Sequence, residues 1–183
     1  MNTGQTMLTI AALALLSVIT MRYYSSVGNT AVNLSETTGG FTATTIATSF
    51  IERAQNLAFD HYTDTMRQSS VLKNKSLLTT PILLGREVTD DTDYAYFDDF
   101  DDFNNIAPIE YTPPDSTERY AVTFRVYYVE PSNINTAVDH QTFLKRMDVM
   151  VWRTIPPPSD TTRSKADTAR MTTFYGYYKF NPI

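Results

Sequence analysis

Cysteine is absent from the 183 residues. That excludes a disulfide framework, a thiolate nucleophile and cysteine-bound zinc. Clusters of lysine and arginine are also absent, and the formal charge is −5 at pH 7. No nucleic-acid surface is expected, because such a surface needs a basic stripe to meet phosphates. Histidine is scarce: His61 and His140 stand apart, with no H-E-x-x-H pair and no carboxylate at helical spacing. No G-x-S-x-G, P-loop or G-x-G-x-x-G occurs, and "LLGREV" offers nothing to cradle a phosphate. These absences point away from an enzyme. No internal repeat of 20 to 50 residues is visible.

The run "QTMLTIAALALLSVITM" (Gln5 to Met21) lacks charge, proline and glycine. A secretory signal carries a basic n-region, a shorter apolar core and a small-residue cleavage site. Here "MNTG" is not basic, and Met21-Arg22-Tyr23-Tyr24 is a poor cleavage site. A membrane span needs about 17 to 25 apolar residues. The run meets the lower limit, with an arginine and two tyrosines where an interface favours them. A retained segment is expected over 5–21.

The helical period continues beyond it. Val27, Ala31, Leu34, Thr38, Phe41, Thr45, Ile46, Phe50, Ile51, Ala54 and Leu57 follow mainly at steps of three and four, one stripe of a helix. Gly39-Gly40 and the threonines oppose this, because glycine and β-branched residues lower helix propensity. Two helices broken at Gly39-Gly40 are one reading. The other is a single rod over 5–59, about 80 Å long at 1.5 Å per residue. Its first half is apolar all round and needs lipid or copies of itself.

Downstream the period becomes two. In "RYAVTFRVYYVE", Val122, Phe124, Val126 and Tyr128 share one face. In "FLKRMDVMVWRT", Met147, Val149 and Val151 do so, and "MTTFYGYYKF" alternates likewise. Three half-buried strands are predicted. "TTPILLGREV" is a further short strand or a buried loop. The links "EPSNINTAVDHQ" and "IPPPSDTTRSKADTAR" suit antiparallel hairpins with mobile tips. The fold class is α+β: a long N-terminal helix whose second half packs against a C-terminal antiparallel sheet within 60–183.

The order of these parts, an N-terminal glycine, an uncharged apolar run, an amphipathic continuation and an antiparallel sheet, resembles a type IV pilin or a type II secretion pseudopilin. "ATSFIERAQNLAFD", "YFDDFDDFNN", "YAVTFRVYYVEPS" and "TFLKRMDVMVW" resemble segments of the smaller, minor-pilin-like members. The resemblance implies a leader of residues 1–4, cut between Gly4 and Gln5, and methylation of the new N-terminus. It also implies residence in the inner membrane before assembly, then an extracellular or envelope-spanning filament built with copies of itself or related subunits. Leu8, Leu13, Leu15, Leu16 and Val18 would form the assembly helix. Two departures stand out. Thr9 occupies the position of the family's usual glutamate, and a hydroxyl cannot neutralise a buried ammonium. The leader also lacks basic residues.

The stretch "DDTDYAYFDDFDDF" places Asp98, Asp99, Asp101 and Asp102 within five residues, a supply of hard oxygens of the kind Ca²⁺ requires. Its spacing is not that of an EF-hand. The competing reading is a solvated acidic loop pinned by Phe97, Phe100 and Phe103. The whole chain reads as a non-enzymatic structural subunit of a filament. The alternative is a monomeric, single-span anchored ectodomain that binds a ligand or surface partner.

Overall fold

The computed structural model describes residues 2–65, 74–87, 93–155 and 168–177. It is α+β, a long N-terminal helix followed by a five-stranded antiparallel sheet. Helix α1 spans Thr3–Gln55, Gly39 and Gly40 included. The chain divides into two units, Met1–Gly39 and Gly40–Ile183. The predicted end at residue 59 is corrected to Gln55. Asn56 and Leu57 close the last turn by donating to Arg53 O and Ala54 O. The backbone of Ala58 is then taken by another partner: its N–H donates to Asp98 O (3.1 Å), and its carbonyl accepts from Phe100 N–H (2.9 Å). Helix α2 follows at His61–Thr65.

Within the second unit, the buried stripe of α1 is Ala43, Ile46, Ala47, Phe50, Ile51 and Ala54. Steps of three and one alternate there, as one face of a 3.6-residue period requires. The expected stripe shifts accordingly. Phe41 is 72% exposed, because it lies off that face. The small residues Ala43, Ala47 and Ala54 let the helix backbone approach the sheet, while Phe50 fills the gap, meeting Phe124 at 5.3 Å between ring centroids.

The sheet order is β1 (Ile109–Tyr111), β2 (Arg119–Glu130), β4 (Leu144–Ile155), β5 (Thr168–Gly176), with β3 (Asn133–Ala137) pairing β2 beyond the reach of β1. The long β2·β4 register pairs Val122 with Val151, Phe124 with Val149 and Val126 with Met147, so the inward residues of both strands share one face. All six are buried, joined by Tyr120 and Tyr128. On β5 the packed residues are Ala169, Met171 and Tyr175. Phe174 lies on the other face, with the Arg146 guanidinium 5.8 Å over its ring.

Two segments fold differently from expectation. "EPSNINTAVDHQ" contains strand β3 and forms an ordered β2·β3 hairpin. "TTPILLGREV" contains a 3₁₀ turn at Pro81–Leu83 and no strand among its described residues. Beyond β1, the side chain of Asn104 takes over part of the ladder, accepting from Val126 N–H at 2.9 Å and donating to Leu84 O at 2.9 Å. Gly85 sits beside it at φ +137°, where a Cβ would lie 3.1 Å from Asn104 O. Residues 156–167 of the proline-rich link and the predicted strand residues Tyr178, Lys179 and Phe180 lie outside the described residues.

Candidate functional site

The unit Met1–Gly39 presents the predicted assembly residues to the outside. Leu8, Leu13, Leu15, Leu16 and Val18 are 74, 63, 64, 61 and 55% exposed. Arg22 and Glu36 are the only charged side chains between Met1 and Gly39. The hydroxyls in the helix do not compete with this apolar character, because they bond backward to its own carbonyls. Thr9 Oγ1 donates to Gln5 O at 3.0 Å, Ser17 Oγ to Leu13 O at 2.9 Å, Thr30 Oγ1 to Ser26 O at 2.9 Å, and Thr37 Oγ1 to Asn33 O at 2.8 Å. Such i−4 bonds let a threonine-rich helix enter an apolar medium with its polar groups satisfied. Thr9 is thereby a neutral helical residue. Gly4 and Gln5 lie in the first turn, and Gln5 N–H donates to Asn2 O at 2.9 Å. By length and composition α1 can cross a membrane.

The unit Gly40–Ile183 holds a second arrangement, built on a charge in the sheet's interior. Strand β4 alternates, and Lys145 falls in phase with buried Met147, Val149 and Val151. It is fully buried. Its ammonium donates to Phe59 O at 2.7 Å and Asp60 Oδ2 at 2.9 Å, and it contacts Asp101 Oδ1. The ring of Phe59 lies 4.6 Å away. Asp60 is equally enclosed: it also accepts from Thr79 N–H (3.1 Å), Thr79 Oγ1 (3.1 Å) and Tyr128 Oη (3.1 Å). Burial, followed by the charges of Asp60 and Asp101, pushes the Tyr128 hydroxyl far above its ordinary value. It therefore keeps its proton and remains a donor. The network ties α2, the segment before Pro81, the acidic loop and two strands to one point.

The acidic loop is the other half of this interior. Asp99, Asp101 and Asp102 are fully buried, which corrects the solvated reading. The phenylalanine pins do hold: Phe97, Phe100 and Phe103 are all in the core. The loop's own amides satisfy part of its charge. Asp99 Oδ1 accepts from the N–H groups of Asp101 (2.8 Å) and Asp102 (3.2 Å), and Asp102 Oδ2 from those of Asp98 (3.0 Å) and Asp99 (3.2 Å). Burial, then the neighbouring Asp101 and Asp102 carboxylates, pushes the Asp99 carboxyl up to about 10 against the pull of Lys145.

Of the four aspartates expected to supply oxygens to Ca²⁺, the structure brings together Asp98, Asp99 and Asp102, with one carboxylate oxygen from each within 4.8 Å of the others. Asp101 is turned to Lys145 instead. Asp99 also belongs to a set that sequence reasoning missed, with His61 and Glu87. His61, isolated in the sequence, is not isolated in space. No periodic signal joins residues 61, 87 and 99. Lys145 was more legible, as a charged residue at an inward position of an alternating strand.

No family model matches the sequence, and no curated protein or solved structure matches it.

Proposed function

We propose that this protein is a structural subunit of a type IV pilus-like or pseudopilus-like filament, assembling through residues 5–21 of α1. The subunit has no catalytic role. Its apolar helix is held in the inner membrane before assembly, and copies of itself or related subunits replace the lipid afterwards. The observation that carries this reading is the outward apolar surface of the first unit. Met7, Leu8, Ile10, Leu13, Leu15, Leu16, Val18 and Ile19 are all more than half exposed, and together they surround the helix. A helix that is apolar on every side needs an apolar environment on every side. The second unit keeps its own core and can form a polar exterior for such an assembly.

A lone anchor and a packed assembly helix respond differently to side-chain shape. In a packed interior, truncating a leucine costs about 2–5 kcal/mol, repeated at each subunit. In lipid, acyl chains fill the gap and much less is lost. Leu13→Ala with Leu16→Ala is therefore expected to leave membrane insertion intact while sharply reducing sheared, pelletable polymer. Assembly at the wild-type level by the double variant, or no polymer from the wild type, gives preference to the single-span anchored ectodomain.

A further inference from the structure

His61 enters the acidic region from helix α2, Glu87 from the segment after the Pro81–Leu83 turn, and Asp99 from the loop between Phe97 and Phe100. One donor atom from each lies within 4.8 Å of the other two. His61 Nδ1, Glu87 Oε2 and Asp99 Oδ2 are all shielded from water. Asp99 itself is 0% exposed; its Oδ1 accepts two amides, and its Oδ2 accepts from no amide, hydroxyl or ammonium group among the described residues. An enclosed carboxylate oxygen without a donor is costly to maintain. Nearby, Asp60, Asp99, Asp101 and Asp102 are four fully buried carboxylates, and Lys145 is the fully buried ammonium among them. Among the described residues, buried carboxyl groups outnumber buried cations in this cluster.

We propose that His61, Glu87 and Asp99 bind a divalent transition-metal ion of the zinc class, which clamps α2, the segment ending at Glu87 and the acidic loop together. An imidazole nitrogen with two carboxylates is a donor set suited to such ions, with a fourth position left for water. Tetrahedral bonds of about 2.0–2.2 Å place donors roughly 3.3–3.6 Å apart. The donor atoms lie within 4.8 Å of one another, so closing to that spacing shortens any pair by at most roughly 1.5 Å. The imidazole separates this site from the neighbouring Asp98, Asp99 and Asp102 set, which offers oxygens alone and suits Ca²⁺. The ion's role is structural and does not depend on whether the first unit polymerises.

The test uses the full-length protein in detergent, stripped with EDTA and titrated with Zn²⁺ against a chromophoric chelator. One equivalent is expected to bind, and His61→Gln and Glu87→Gln are each expected to weaken binding by about tenfold or more. Co²⁺ loaded into the wild-type protein is expected to give the d–d absorption of a low-coordinate site containing nitrogen, a readout independent of how any variant folds. Absence of Zn²⁺ binding overturns the proposal. So does Zn²⁺ binding that persists in both variants, or a Co²⁺ spectrum of six oxygen ligands. Preferential Ca²⁺ binding, weakened by Asp98→Asn and untouched by His61→Gln, assigns the ion to the oxygen set and likewise overturns it.

Discussion

In the unit Met1–Gly39, leucine, isoleucine and valine face outward, while threonine and serine hydroxyls turn back to the helix's own carbonyls. In the unit Gly40–Ile183 the apolar side chains face inward, and charged groups go in with them: Lys145, Asp60, Asp99, Asp101 and Asp102. The first unit's threonine and serine hydroxyls bond locally, within four residues. The second pairs buried charges over long separations, for example 85 residues between Lys145 and Asp60. A helix that is locally satisfied can exchange one apolar surrounding for another, lipid for protein, without breaking polar bonds. A core held by a distant ion-pair network cannot change its surroundings without losing them.

The largest effect on stability is expected from Lys145→Met, which keeps the side-chain volume and removes the charge. Asp60 and Asp101 are then buried without their ammonium, and breaking a buried pair in this way costs about 3–5 kcal/mol. Urea unfolding of the full-length protein in detergent measures it. A loss below about 1 kcal/mol would mean that the apolar core, and not the network, holds the second unit.

The same alanine-to-leucine change then separates the two units. Ala47 is 0% exposed, on the face of α1 that packs in the core of the second unit. Ala47→Leu is expected to lower the unfolding free energy by about 1–3 kcal/mol through overpacking. Ala12 lies in the exposed apolar run, so Ala12→Leu is expected to stay within about ±0.5 kcal/mol in the same assay. If the proposed filament forms, its effect is expected in the yield of polymer instead. Equal unfolding shifts for the two variants would remove the distinction between the units.

The smallest effect concerns His140, outside the core. Its Nε2 lies 2.9 Å from Glu130 Oε1, and hydrogen bonds to Glu130 and Asp139 raise its pKa above the usual 6.5. A group whose folded pKa is raised contributes stability below its unfolded value, and that contribution disappears as pH rises through the folded one. Relative to wild type, His140→Ala is therefore expected to melt slightly lower below pH 6.5, with the difference fading as the pH is raised. Exposure makes the pair weak and sensitive to salt. A gap that widens at high pH would contradict the sign.

Strands β2 and β4 were legible because twelve-residue alternation records which side is buried. Strand β1 was not, since three residues are too short for a period to register, and β3 was not, since all five of its residues are exposed. The acidic loop shows the limit most clearly. Phe97, Phe100 and Phe103 announced that it was pinned to the core, and all three are buried. Four aspartates around them suggested water or a cation; three of them are buried instead of solvated, and part of their charge is met by loop amides and by Lys145, 44 residues from Asp101.

By itself the sequence determined which segments are apolar and with what period, hence the helix, the long strands and the outward face of residues 5–21. Periodicity is a property of neighbours along the chain, and a 3.6- or 2-residue repeat needs no tertiary partner to be read. Only the tertiary structure decided that Asp60 and Asp101 share the ammonium of Lys145, that Asp99 stands beside His61 and Glu87, and that α1 stops at Gln55. Electrostatic compensation falls with distance in space and rises with exclusion of water, and neither quantity is written in the spacing of residues along the chain.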